Sequence, residues 1–206
     1  MDAKFHPAIA AIKVGDIERL KSLLREDPSL ATSRSSCSHP TLLQCLALEA
    51  LDVGNKVEMA KVLVDAGAEI NGPLGAAACI DNVEIAAALL DAGAAIDRNG
   101  EWSPLEEALY WCNQRVIQLL LERGAPINNL RLAAGLGRMD LIEGFFDADG
   151  SLRPSAGRID SPFGPKPGQF TDSPQNIINN AFIYACMHNR LEAAKLLIRR
   201  GAEITQ

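Results

Sequence analysis

The sequence has few aromatic residues, no long apolar run and no apolar leader at its N-terminus. Aromatic residues make up 5% of the 206 residues, which disfavours packed β-sheets because strands are rich in aromatic and β-branched side chains. No stretch approaches the roughly 18 apolar residues expected of a membrane-spanning helix, and no secretion signal is recognisable. These absences predict an all-α protein that resides in the cytoplasm and neither enters nor crosses a membrane.

Basic clusters and paired metal-binding residues are also scarce. The chain has 20 Lys and Arg against 26 Asp and Glu, a formal net charge of −6, whereas nucleic-acid binding depends on clustered basic side chains. The five cysteines are widely spread, with no C-x-x-C pair and no histidine at zinc-ligand spacing. We therefore expect reduced thiols, no nucleic-acid partner, no metal and no cofactor.

The sequence does contain an internal repeat. Four segments, 62–71, 88–97, 119–128 and 196–205, each join the apolar pattern of a helix to Gly-Ala-x-Ile or Gly-Ala-x-Ile-Asn. Residues 23–30 and 145–152 are weaker copies that keep the apolar pair. A glycine after such a pattern suits the left-handed cap that ends many helices. The repeat therefore predicts about six units, each ending in an amphipathic helix.

A second marker precedes most of these endings by twelve residues and consists mainly of residue types that favour tight turns. A shorter helix comes before it, as in Ser103-Pro104-Leu105, where proline suits the first helical position because its missing N–H has no intrahelical partner there. The markers are Gly15, Asn55, Asp81, Cys112, Gly137 and Asn189.

This order of turn, Pro-Leu helix start, alanines, turn and second helix ending Leu-Leu-x-x-Gly-Ala-x-Ile-Asn resembles the ankyrin repeat. The resemblance implies a helical solenoid with β-hairpin fingers between units. The family's His at the helix start is absent, and Gln44, Gly75 and Glu106 stand there instead. Gly67 and Gly93 are 26 residues apart against the usual ~33, so we expect short or irregular fingers.

We predict a single ankyrin-repeat domain over 1–206. Its units are expected at approximately 4–36, 37–71, 72–97, 98–128, 129–152 and 173–206. A long Pro- and Gly-rich loop is expected at 151–174, because that density of proline and glycine excludes regular helix and central strand. Phe163 and Phe170 either pin this loop to the array or contact a partner. Asn99-Gly100 suits a tight hairpin at a finger.

No residue pattern supports catalysis. The segment from Gly135 to Asp140 begins like a dinucleotide-binding motif but lacks the third glycine, which indicates a turn between helices. Residues 147–150 resemble part of a calcium loop without its first and last ligands. His6, His39 and His188 belong to different units and pair with no nucleophile. We predict no catalytic residue and no enzyme.

The ankyrin resemblance implies that residues just before the turn between the two helices of a unit face a concave groove. An apolar line there favours partner binding over burial, because tyrosine and tryptophan dominate protein interfaces. Trp102, near a finger, extends the same patch. The predicted partner-binding residues are Ile80, Tyr110, Trp111, Leu136, Met187, His188 and Trp102.

The predicted function is a non-enzymatic protein–protein interaction module, an adaptor or inhibitor that binds a protein partner in this groove. Two alternatives are an enzyme-associated subunit in which the 151–174 loop covers a small-molecule pocket, and a structural spacer with buried aromatics. The array stops at a repeat boundary, whereas repeat arrays need polar caps. We therefore expect either further repeats or a dimer through Leu191, Ala194, Leu197 and Ile198, and otherwise a monomer.

Overall fold

A computed structural model describes residues 2–37, 39–97, 102–163 and 172–203. Within these residues the chain forms thirteen α-helices and three short 3-10 helices, Ala3–Phe5, Glu143–Phe145 and Pro154–Ala156. The α-helices are α1 His6–Val14, α2 Ile17–Glu26, α3 Ser29–Thr32, α4 Leu42–Glu49, α5 Lys56–Asp65, α6 Asn71–Cys79, α7 Val83–Asp91, α8 Pro104–Tyr110, α9 Gln114–Glu122, α10 Leu130–Leu136, α11 Met139–Ile142, α12 Pro174–Met187 and α13 Leu191–Arg199.

Consecutive helices form six pairs, which confirms the predicted all-α helical-repeat architecture. The chain divides into two compact units, Met1–Gly124 and Ala125–Gln206. In the first, the first helix of each pair packs on the next, in the order α1, α4, α6, α8, and the second helices follow as α2, α5, α7, α9. Leucines such as Leu46, Leu63 and Leu74 are fully buried between them. The single-domain organisation over 1–206 stays a prediction.

The turn inside most pairs has one residue in the left-handed region of φ. Gly15 and Gly137 adopt φ of 72° and 71°, and Asp81, Cys112 and Asn189 adopt 59°, 59° and 54°. The left-handed conformation costs a non-glycine residue about 1 kcal/mol or more. In three pairs the close approach of the two helices outweighs this cost. All six predicted turn markers therefore lie in turns, and five of them adopt the left-handed conformation.

Asn55 does not, because its φ is −102°. Helix α5 begins eleven residues before its closing glycine Gly67, whereas α7 begins ten before Gly93. The extra helical residue moves Asn55 to the N-cap of α5, the position that Asn82 holds in α7. The turn predicted at Asn55 is present, and Asn55 is its last residue.

In four helix pairs, a side chain just after the turn bonds to the preceding pair. The amides of Asn55, Asn82 and Asn113 donate to the carbonyls of Gly15, Ala47 and Ala78 at 2.8, 2.9 and 2.7 Å. In the second unit Arg190 Nε donates to the carbonyl of Gly135 at 3.1 Å. These bonds satisfy backbone carbonyls at the C-terminal ends of the first helices, where no intrahelical donor exists.

Two of the three residues that replace the family's histidine, Gln44 and Glu106, cap the starts of their helices. Thr41 and Gln44 form a reciprocal capping box at the start of α4, and Ser103 and Glu106 form another at α8. In each box the N-cap side chain accepts a hydrogen bond from the backbone N–H of the third helical residue, and the side chain of that third residue accepts one from the N-cap N–H. Gln44 and Glu106 thereby fix where these helices begin.

In the second unit, α12 packs against α10 and α13. Its core contains Leu130, Ile142, Phe146 and Leu197 among others. Within α13, Ala194 and Leu197 are buried whereas Leu191 and Ile198 are exposed. Of the four apolar residues expected at a dimer interface, only these two are exposed, because the other two are buried where α13 packs against α12 and α10.

The fingers are irregular, as predicted. Among the described residues one isolated antiparallel bridge, Phe146 to Leu152, represents β-structure. Asn99-Gly100 lies outside the described residues.

The described part of the Pro/Gly-rich loop is attached to its unit by polar contacts. Arg131 Nη1, on α10, donates to the carbonyl of Asp160 at 3.1 Å. Within the loop, the Ile159 N–H donates to the Asp172 carboxylate at 2.8 Å. Phe163 is 63% exposed, so most of its side chain faces solvent. Phe170 lies outside the described residues.

We predict that Asn82→Ala lowers the free energy of unfolding by about 2 kcal/mol, because it leaves the buried Ala47 carbonyl without its donor and removes a helix cap. Urea denaturation measures the change. Gln118→Ala, which removes an exposed contact to Glu122, is the control and should stay within about 0.5 kcal/mol of wild type. Equal losses in the two variants would contradict the role of Asn82.

A second prediction compares two left-handed glycines. A methyl group on Gly15 would lie 2.8 Å from Asn55 Oδ1 and 3.0 Å from Val53 Cγ1, whereas at Gly93 it would meet no atom within 4 Å. Gly93→Ala should cost about 1 to 2 kcal/mol from backbone strain alone, and Gly15→Ala should cost at least about 1 kcal/mol more. Thermal denaturation compares them, and equal losses would show that the turn does not pack closely on Asn55.

Candidate functional site

The strongest candidate site lies at the two ends of α8. The capping box of Ser103 and Glu106 fixes the start of this helix, with Pro104 at its first position. Trp102 precedes the N-cap, Tyr110 is the last helical residue and Trp111 is the C-cap. Cys112 then turns the chain through its left-handed conformation into α9. The helix is short enough that side chains from both ends meet along its side.

Trp102, Tyr110 and Trp111 form one group of rings, here called the aromatic cluster. The centroids of Trp102 and Tyr110 lie 6.1 Å apart with planes at 75°, and those of Tyr110 and Trp111 lie 5.0 Å apart with planes at 78°. Such edge-to-face pairs contribute about 0.5 to 1.5 kcal/mol each beyond the area they bury. The cluster is therefore held together by its own contacts.

Glu107 orients both indoles. Trp111 Nε1 donates to Glu107 Oε1 at 2.8 Å, and Trp102 Nε1 donates to Oε2 at 2.5 Å. Hydrogen bonds to a carboxylate are stronger than those between neutral groups, so each ring is fixed in direction as well as in position.

Cys79, the last residue of α6, is next to the same carboxylate. Burial raises the pKa of its thiol to about 11, and the negative charge of Glu107 and a hydrogen bond to it act in the same direction. The thiol is therefore neutral near pH 7. Its hydrogen bond to Glu107 links α8 to α6 of the preceding pair.

The cluster is partly accessible. Trp111 is 43% exposed, while Trp102 and Tyr110 are half-buried. Because the Trp111 N–H is directed at Glu107, the accessible part of this side chain is mostly ring carbon. An exposed tryptophan held in one orientation is the kind of side chain that anchors protein interfaces.

The other predicted binding residues occupy the corresponding turn positions of other helix pairs. Ile80 is half-buried at the C-cap of α6. In the second unit, Leu136 is half-buried at the end of α10, and Met187 is exposed at the end of α12. His188 is 8% exposed, so its imidazole presents little surface to a partner. The structure therefore brings together three of the seven predicted residues, Trp102, Tyr110 and Trp111.

Glu107 was not among the predicted site residues. Its spacing to Trp111, four positions along α8, is the signal that identifies it, because side chains at i and i+4 are neighbours on a helix. The contact with Trp102 has no such signal, since it depends on how the chain enters α8.

Chemistry-bearing groups outside this site have structural contacts. Asp147 accepts from Arg153 Nε at 2.9 Å, and Asp149 accepts from the Ser151 hydroxyl and N–H, so the calcium-like segment is a closed turn. Gly137 is the left-handed cap of α10, which confirms the turn predicted there. In the described ranges no three His, Cys, Asp or Glu side chains converge as metal ligands.

A helix long and apolar enough to cross a membrane is absent from the part of the chain that the structure describes.

Stacked helix pairs joined by asparagine side chains, with an aromatic surface at one turn, define a helical-repeat protein. Comparison with family models makes the class specific. A model described as ankyrin repeats in three copies matches residues 46–131, and a single ankyrin repeat matches residues 178–206. The chain belongs to the ankyrin repeat family. No curated protein matches it. Ankyrin repeats generally mediate protein–protein interaction, and proteins built from them are typically non-catalytic.

The contact between Cys79 and Glu107 yields a prediction about thiol reactivity. Burial is the main cause of the raised pKa of Cys79, and the charge of Glu107 adds to it. Replacing Glu107 by Gln should therefore lower this pKa, so that more thiolate forms at pH 8 and alkylation by iodoacetamide becomes faster. Peptide mass spectrometry measures the rate at each cysteine. Cys45, whose pKa burial raises to about 12, is the control for general loosening and should keep its slow rate. Equal acceleration of both thiols, or of neither, would contradict the contact.

Proposed function

We propose that this protein is a non-enzymatic adaptor or inhibitor that binds a protein partner through the aromatic cluster, with Tyr110 and Trp111 as anchors. The observation that carries the proposal is the 43% exposure of Trp111 in a ring group whose orientation Glu107 fixes. Tryptophan and tyrosine are enriched among the residues that dominate binding energy. The ankyrin family supports the general role.

Preorganisation strengthens the proposal. A side chain that is free in the unbound protein loses about 0.5 to 1.5 kcal/mol of conformational entropy on binding. Trp111 already has its ring fixed by Tyr110 and its N–H fixed by Glu107, so little of that loss remains. The spacer alternative requires buried aromatics, and the exposed ring of Trp111 favours binding over it.

We also propose a cytoplasmic location. All five cysteines are reduced thiols, as is usual for proteins of reducing compartments.

The test is recovery of partners with tagged protein from lysate of the source cells. We expect Trp111→Ala and the double variant Tyr110→Ala/Trp111→Ala to lose the proteins that wild type recovers, because the anchors are gone. The single variant changes an exposed side chain and should keep its helical circular dichroism.

Leu51→Ala is the matched control, since Leu51 is 45% exposed and lies outside the cluster. It should recover the same proteins as wild type. Unchanged recovery by folded Trp111→Ala protein would refute the anchor role.

A further inference from the structure

The stretch of sequence that contains the aromatic cluster is rich in acidic residues. Residues 62–114, which include α6, α7 and α8, contain nine acidic residues and one basic residue, a formal charge of −8. Two of the acids pair with basic residues from outside this stretch, Glu84 with Lys56 and Asp91 with Arg123. The region remains strongly acidic after these pairs are counted.

Glu107 places a carboxylate at the centre of the cluster. Its contacts described above are two indole N–H groups and a thiol, which are neutral donors and compensate none of the charge. A carboxylate has about four acceptor positions, so these contacts leave acceptor capacity on Glu107. The site therefore combines a negative charge with aromatic rings at contact distance.

The rings add to the attraction for a cation. The face of an aromatic ring carries negative potential, and tryptophan binds cations more strongly than tyrosine or phenylalanine does. Trp111 directs its positive N–H edge at Glu107 and exposes ring carbon. An anionic group would be repelled by both the ring face and the carboxylate, and a purely apolar group would gain nothing from the charge.

We propose that the aromatic cluster binds an arginine side chain of the partner protein, with the guanidinium stacked on Trp111 and directed toward the Glu107 carboxylate. This inference rests on the proposed function and specifies the chemistry of the partner. Arginine fits better than lysine because its planar guanidinium stacks on aromatic faces and is more weakly hydrated than an ammonium group.

Both tryptophans of the chain belong to the cluster, so the two indole N–H signals in a nitrogen–proton correlation spectrum report on this site alone. The probes are nine-residue peptides of glycine and serine with arginine, citrulline, lysine or glutamate at the centre. Citrulline keeps the shape of arginine and removes its charge.

We expect the arginine peptide to shift both indole signals saturably and the citrulline peptide to bind about tenfold more weakly, the size expected of a partly exposed cation–π contact. The lysine peptide should fall between them, and the glutamate peptide should cause no shift. Added salt should weaken the arginine peptide more than the citrulline peptide.

Variants separate the two parts of the site. Glu107→Gln should bring the arginine and citrulline peptides close to equal affinity, and Trp111→Ala should remove binding as seen at the Trp102 signal. Val14→Ala, an exposed residue at the corresponding position of α1, should bind as wild type. Circular dichroism checks that each variant is folded.

Equal affinity of wild type for the arginine and citrulline peptides, or tighter binding of the glutamate peptide, would overturn the inference. Loss of partner recovery by Trp111→Ala together with unshifted indole signals would also overturn it while leaving the proposed function standing. Shifted signals with unchanged partner recovery would instead refute the proposed function.

Discussion

The stacking of the helix pairs depends on one recurring hydrogen bond. In four helix pairs a side chain just after the turn donates to a backbone carbonyl of the preceding pair, as Asn82 does to Ala47 and Asn113 does to Ala78. The carbonyl belongs to a helix end and has no donor within its own helix, so the bond satisfies a group that would otherwise be costly to bury. The turn must bring the two helices close, which explains why Asp81 and Cys112 accept a strained conformation.

The hydrogen bonds at the turn after α8 also position the aromatic cluster. Asp81 accepts from the Val116 N–H at 2.9 Å and thereby caps α9, while the Asn113 amide is committed to Ala78. These two hydrogen bonds hold the turn after α8 in place, and Trp111 is the residue at which that turn begins. Glu107, one helical turn earlier, directs both indole N–H groups inward. A rigid scaffold with an exposed, oriented ring follows from these few contacts, and no catalytic group is needed to explain them.

Much of the fold was predictable because it depends on local chemistry. The glycine endings, the capping residues Thr41 and Ser103, and the turns at Asp81 and Cys112 each follow from a residue type at a fixed spacing. Asn55 lies in the predicted turn but without the left-handed conformation, because α5 begins one residue further from Gly67 than α7 does from Gly93. The site was less predictable: the rings of Trp111 and Tyr110 were identified, but the burial of His188 and the bond from Trp102 to Glu107 depend on packing between segments that no sequence pattern encodes.

The central claim is that the surface at Trp111 contacts a protein partner, and site-specific photo-crosslinking tests it most directly. Benzoylphenylalanine replaces either Gln114, an exposed residue three positions after Trp111 that leaves the anchor intact, or Val14, an exposed residue at the turn of the first pair, and living cells are irradiated. A discrete adduct of higher mass is expected for the Gln114 position and none for the Val14 position. An adduct at Val14 with none at Gln114 would contradict the claim.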